Sequence, residues 1–183
     1  SGQISKVSQG NHMLTMNDLV GKNAVATWTS PSNPSDIVSF SVKKFNKIDR
    51  LTDVNNDIFY NVEFGKVEEI NYESVDGKIV QGWVVKPPQF DSKKKYPLVL
   101  RIHGGPHSMY NVGFNYNFQL HAAQDQVVLY TNPRGSTGYG YDFANAIQNA
   151  YPGNDYDDIM AGVDEIISRG YIDENKMYVY GGS

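Results

Sequence analysis

Met177-Tyr178-Val179-Tyr180-Gly181-Gly182-Ser183 is the stretch on which the reading of this chain turns. A short β-branched and aromatic strand runs into two glycines and a serine. A serine on a tight strand-to-helix turn stands exposed at the tip of a sharp bend, and the crowded backbone around it favours glycine. The same pattern asks for a glycine two residues beyond the serine, and Ser183 is the last of the 183 residues. The stretch suggests a nucleophile, with the expectation that half of its signature lies outside this sequence.

Two other segments share the style of this strand. Tyr96-Pro97-Leu98-Val99-Leu100-Arg101-Ile102 is a near-continuous apolar run, as is Gln126-Val127-Val128-Leu129-Tyr130. Such runs mark strands buried on both faces, the usual state of a parallel sheet. Between them lie helical stretches, of which Asp155 to Arg169 is the clearest. Ile159, Met160, Val163, Ile166 and Ile167 recur there at helical spacing. Asn154 is expected to cap its start, acids fill its first turn, and Gly170 is expected to end it. Strands alternating with helices predict a parallel sheet with all three runs buried in it. Just upstream, Val67 to Val75 and Lys78 to Val85 read as a hairpin turning at Asp76-Gly77. Pro87-Pro88 and Asp91 to Lys95 read as loop.

Residues 1–65 are of another kind. Ala24 to Thr29, Ile37 to Val42 and Ile48 to Leu51 read as short strands, separated by turn residues such as Pro31-Ser32-Asn33-Pro34-Ser35. This spacing suits one blade of a β-propeller. A lone blade needs neighbours to cover its faces, and no second copy of the pattern is present.

Composition narrows the classes. The chain is 40% hydrophobic and 20% charged, ordinary for a folded protein. Net charge is −4, and Lys93-Lys94-Lys95 is too short a basic block for a nucleic-acid surface, so no nucleic-acid partner is expected. No apolar run reaches membrane-spanning length, and no membrane partner is expected. With no cysteine there is neither a disulfide nor a thiolate metal site, which leaves the compartment open. No signal peptide is visible at Ser1, and the start without Met suggests processing.

Three motifs carry possible chemistry. His103-Gly104-Gly105-Pro106-His107 follows a buried strand, where small residues let backbone N–H groups approach a developing oxyanion. Its plain alternative is a glycine turn, and both histidines are read as supports of that loop. Asn132-Pro133-Arg134-Gly135-Ser136-Thr137-Gly138-Tyr139-Gly140 lacks the Gly-Lys-Ser/Thr ending of a phosphate loop and by itself reads as a surface turn. Ser136 has no evident base near it. Gly181-Gly182-Ser183 is the third. In parallel sheets sites lie at the carboxyl ends of the strands, and Gly105, Asn132 and Ser183 would share that edge. Asp155, Asp157, Asp158, Asp164 and Glu165 are read as charge at a helix start and on its outer face rather than as a metal site.

In order and spacing these motifs resemble the prolyl oligopeptidase family of serine peptidases, in its acylaminoacyl-peptidase and dipeptidyl-peptidase branch. The resemblance rests on Asp76-Gly77 with Gly82-Trp83, Tyr96 to Val99 leading to His103 to His107, Asn132 to Ser136 with Gly138-Tyr139-Gly140 and Phe143, then Gly153, Asp155, Asp158 and Tyr180 to Ser183. It implies an α/β class: the N-terminal part of an α/β-hydrolase fold over 66–183, preceded over 1–65 by a β-propeller blade remnant that includes Ser1-Gly2-Gln3. It implies Ser183 as nucleophile and Gly105 as one oxyanion donor, a peptide substrate, and no metal or organic cofactor. The second donor and the catalytic acid and histidine follow the serine in this fold, whereas His12, His103, His107 and His121 all precede it. The chain alone is therefore expected to be inactive. The strand ending at Tyr180 is usually central, so a partner is expected to cover its edge: the rest of the catalytic domain, possibly as a second chain, or another copy in a homo-oligomer. A carboxylesterase or lipase of the same fold, or a non-catalytic binding fragment, are the alternatives.

Overall fold

The computed structural model describes residue 2 and residues 8–182. Ser183, assigned above as nucleophile, lies outside the described residues, as do Ser1 and Gln3. In chain order the elements are β1 (Met13–Val20), β2 (Asn23–Ser30), β3 (Asn33–Ser41), β4 (Lys44–Arg50), α1 (Asn56–Phe59), β5 (Lys66–Glu73), β6 (Ile79–Lys86), β7 (Tyr96–Ile102), α2 (Tyr116–Ala123), β8 (Val127–Asn132), α3 (Tyr141–Asn145), α4 (Asn154–Ser168) and β9 (Ile172–Gly181). They fall into two compact units. One runs to Glu63 and includes Val112–Asn115; the other holds Phe64–Asn111 and the chain from Tyr116 on.

The first unit is an antiparallel meander in the order β1-β2-β3-β4. Ala24 and Ala26 on β2 and Val38 and Phe40 on β3 alternate inward to form its core, with Leu14, Trp28 and Ile48 packed against them. Period-two burial of this kind is what a half-buried strand requires. The turn expected over Pro31 to Ser35 is shorter, because β3 begins at Asn33. Thr29 Oγ1 donates to Asn33 O at 2.9 Å, and Asn33 Nδ2 donates to Ser30 Oγ at 2.7 Å, so side chains close the turn in two residues. Strand β1 was not legible in the sequence. It is largely exposed and has no burial period to betray it. Four antiparallel strands in sequence order are the content of one propeller blade.

The second unit is built on a five-stranded sheet in the order β5-β6-β8-β7-β9. β5, β6 and β8 pair antiparallel, while β8, β7 and β9 run parallel. The hairpin turns through Val75–Gly77, closed by Ser74 N donating to Lys78 O at 2.8 Å, so the loop is longer than the two residues expected; Asp76 and Gly77 are both at positive φ. Alternate residues divide between two layers. Val80, Val84, Leu98, Leu100, Val127 and Leu129 share a core with Ile159, Val163 and Ile166 of α4. Tyr130 on the opposite face stacks on Trp83 and packs against Phe118 of α2. Covered on both faces, β8 is buried along its whole length.

α4 starts and ends close to expectation, with two corrections. Asn154 is its first helical residue, and its side chain caps nothing; instead Asp155 Oδ1 accepts the N–H of Gly153, the capping residue, at 2.7 Å. Asp158 is not on the outer face. It shares the inward stripe of Gly162 and Ile166 and is fully buried. At Gly162 the helix lies close against the sheet: a Cβ there would lie 2.6 Å from Tyr72 Oη. Burial in three central strands is also corrected for the last run. Among the described residues β9 has β7 as its one strand neighbour, and Met177, Tyr178 and Val179 are 44%, 56% and 63% exposed.

Candidate active site

Parallel pairing brings the carboxyl ends of β7, β8 and β9 to one edge. On it, Ile102 stands opposite Gly181, so the loop after β7 and the turn after β9 leave the sheet side by side. A cleft of 510 Å³ opens there. Its walls are Ile102 to Pro106 at the end of β7 and beyond, Pro133, Arg134 and Ser136 after β8, Gly181 and Gly182 at the end of β9, and Tyr151, Pro152, Asp155, Tyr156 and Ile159 around the start of α4. Of the residues expected at this edge, Gly105 lines the cleft and the backbone leading to Ser183 lines it too. Asn132 lies at the end of β8, buried completely.

Gly105 has φ +130°, and a Cβ there would sit 2.8 Å from His107 N. Only glycine fits that approach without strain. Its N–H takes no hydrogen bond among the described residues, and the residue is exposed to the cleft. A free backbone donor at the carboxyl edge of a parallel sheet is the element an oxyanion hole requires.

The loop carrying Gly105 is held by the segment after β8. His103 Nε2 lies 3.0 Å from Ser136 Oγ. His107 Nδ1 lies 3.1 Å from Gly135 O, and because a carbonyl only accepts, this nitrogen carries the proton. Thr137 N donates to Ser108 O at 2.9 Å. Asn132 grips Tyr110 with both ends of its amide: Oδ1 accepts the Tyr110 N–H at 2.7 Å, and Nδ2 donates to Tyr110 O at 3.0 Å. Asn132 Nδ2 also donates to Tyr139 Oη at 2.7 Å, which in turn donates to Gln81 Oε1. Burial pushes the Tyr110 phenol up to about 12 and also raises that of Tyr139. Both phenols remain neutral at physiological pH.

The histidines thus take the supporting role expected of them. Ser136 differs from expectation in having a ring nitrogen beside it. Its hydroxyl also reaches Pro133 O at 2.6 Å, and the residue is 1% exposed. It joins two loops and offers no oxygen to a substrate.

The grouping that sequence reasoning missed is the root of the second loop. Asp158 Oδ2 accepts both the Arg134 backbone N–H, at 2.8 Å, and Arg134 Nε, at 2.9 Å; Oδ1 accepts Nη2 at 2.7 Å. On its other side the guanidinium reaches Asp76 at 3.0 and 3.1 Å. The Asp158 bonds, more than those of Asp76, hold the Arg134 pKa above its ordinary value against the opposing effect of burial. A signal existed in the sequence: Asp158, Gly162 and Ile166 recur every fourth residue, which puts the acid on the apolar face. Among the described residues no cluster of His, Asp and Glu is placed to hold a metal ion.

The strand order with an N–H-bearing loop after β7 and a glycine turn after β9 defines the N-terminal part of an α/β-hydrolase domain, with a propeller-type blade before it. Residues 112–183 match the prolyl oligopeptidase family. The chain is 42% identical over 160 residues to the "Uncharacterized peptidase YuxL" of Bacillus subtilis, covering 87% of this chain and 24% of that protein. It is 29% identical to the "Dipeptidyl-peptidase 5" of Porphyromonas gingivalis, over all of this chain and 27% of the relative. Among solved structures, the acylaminoacyl peptidase of Pyrococcus horikoshii superposes with a TM-score of 0.85 at 26% identity, over 97% of this chain and 28% of that one. The chain spans about a quarter of the length of the relatives it matches.

Proposed function

We propose that the full-length protein is a serine peptidase acting on short peptides, of acylaminoacyl- or dipeptidyl-peptidase type, and that Ser183 is its nucleophile. The observation that carries this reading is the Ile102–Gly181 pairing. It puts the free Gly105 N–H and the Gly181-Gly182 turn on one cleft at the carboxyl edge of the sheet. The names of the relatives and the blade-like first unit support a peptidase over an esterase.

In this mechanism Ser183 Oγ attacks the scissile carbonyl while a histidine takes its proton. The carbonyl oxygen becomes an oxyanion that accepts the Gly105 N–H and a second donor after the serine. The histidine then protonates the leaving amine, and water attacks the acyl-enzyme to free the acid. We place the acid and the histidine in the part of the protein beyond these 183 residues, because this fold supplies them after the nucleophile. The first unit is then the last blade of a propeller, residues 66–183 open the catalytic domain, and the rest of that domain covers β9. Alone, the chain is expected to turn over no substrate, since a serine hydroxyl without a base is a poor nucleophile at neutral pH.

Intact mass after treatment with a fluorophosphonate probe tests this. The full-length protein should gain one adduct, mapping to Ser183, and Ser183→Ala should gain none. The chain of 183 residues by itself should stay unlabelled. An adduct elsewhere, or none on the full-length protein, would remove Ser183 from the role.

A further inference from the structure

Two loops meet at the candidate site, and one has little support of its own. Between His103 and Tyr110 the chain must present Gly105 at a positive φ, yet the bonds that fix this loop come from residues 132–137. The supporting segment is itself rich in glycine, with Gly135 and Gly138 at positive φ. Its fixed point is Arg134, whose backbone N–H and guanidinium both bond one buried carboxylate on α4. A buried ion pair contributes little net stability compared with apolar packing of the same volume. Its better-attested use is to specify one arrangement among several. Here the arrangement specified is that of the loop two hydrogen bonds away.

We infer that Arg134 and Asp158 are a positioning pair for the oxyanion donor: by fixing residues 132–137 they fix residues 103–110 and so aim the Gly105 N–H. The inference rests on the peptidase reading given above, and neither residue is assigned a contact with substrate. An arginine suits this role better than a lysine. A lysine retains the charge but cannot bond a carboxylate through Nε and Nη2 together.

The test uses the full-length protein with Arg134→Lys and the double variant Arg134→Met/Asp158→Leu, which removes both charges and keeps the site filled. Active sites are first counted by fluorophosphonate titration, so that unfolded molecules drop out. Turnover per titrated site on a peptide anilide is then compared with wild type, together with inhibition by a peptide aldehyde, whose adduct carries the oxyanion. Loss of a whole oxyanion donor costs about 100- to 1,000-fold in kcat. A misaimed donor should cost about 10- to 100-fold by the same measure. KM should stay near wild type, and aldehyde affinity should fall with kcat. Arg134→Lys should recover part of the loss. Unchanged kcat per site in both variants would overturn the inference. Exchange of the 103–110 amides with deuterium gives an answer that needs no activity. It should quicken in the double variant, and an unchanged rate there would also overturn the pairing's role. A wild-type protein unlabelled at Ser183 would instead overturn the peptidase reading, while the exchange result would still decide whether the pair holds the loop.

Discussion

Both units of this chain bury an aspartate against an arginine, and the two pairs differ in how the arginine is housed. Asp36 and Asp158 are equally sealed, with no side-chain exposure. Arg50, the partner of Asp36, keeps 42% of its side chain in solvent, where it also meets Asp53 at 2.8 Å. Arg134 keeps 6%. Asp36 has other partners in Thr52 Oγ1 at 2.7 Å and Val54 N at 3.2 Å, so it ties β3 to the chain after β4 even without the ion pair. Asp158 takes its side-chain bonds from Arg134. The same two residue types therefore make a strand-end tie in one unit and a committed pair in the other. What separates them is whether the cation has water to fall back on.

The largest effect should come from breaking the committed pair on one side. Asp158→Asn leaves Arg134 charged, buried and short of its main partner, a situation that costs about 3–5 kcal/mol. Asp36→Asn keeps an amide oxygen for Thr52 and Val54 and loses the bonds that Oδ2 takes from Arg50, which is free to turn outward, about 1–3 kcal/mol. Amide exchange read separately in each unit of the full-length protein measures both. The contrast fails if the two substitutions loosen their units equally. A third change tests how the carboxylate itself is placed. Tyr72 Oη donates to Asp158 O at 2.8 Å, holding α4 against β5. Tyr72→Phe loses that one neutral bond, about 0.5–1.5 kcal/mol. It should slow nothing at the candidate site if the Arg134 bonds position Asp158 well enough alone.

The sheet and the helix α4 were readable in the chain because burial leaves a period. The run from Tyr96 to Ile102 is apolar at nearly every position and became β7, and the four-residue recurrence of Ile159, Val163 and Ile167 became α4. β1 was invisible for the converse reason, since an exposed strand has no inward set to alternate. Gly105 was singled out through the resemblance, since a glycine turn after a buried strand is by itself common. The Arg134–Asp158 pair was not read, since its partners lie 24 residues apart and five acids crowd the same short stretch. Composition counts such acids alike. Only their helical phase separates the buried one, and phase was applied to the apolar residues without being applied to Asp158. Asn132 escaped in a similar way: an amide gripping a distant backbone leaves no spacing rule.

Acid gives a smaller test of the same contrast. Burial works to raise the Asp36 pKa, but the bonds from Thr52, Arg50 and Val54 N outweigh it and leave it below its ordinary value of 3.8. A carboxylate depressed on folding contributes stability that is complete above its unfolded pKa and is lost as pH falls through the folded one. The first unit should therefore hold at neutral pH and loosen only below about 3.8, and Asp36→Asn should flatten that acid limb.

The smallest effect belongs to Asp76, the second carboxylate on Arg134. Its pKa is lowered chiefly by the Arg134 hydrogen bonds, so its contribution has the same sign and the same acid window as that of Asp36. But its side chain is 51% exposed, and an ion pair in that setting is screened by salt and loses little when broken. Asp76→Asn should leave exchange of the Arg134 amide at the wild-type rate, because that N–H bonds Asp158. Any difference it makes at low ionic strength should fade as salt is added. If Asp76→Asn instead released the Arg134 amide as Asp158→Asn is expected to, the guanidinium would be anchored from the hairpin turn rather than from α4. The distinction between a solvated pair and a committed one would then give way to a shared three-membered cluster.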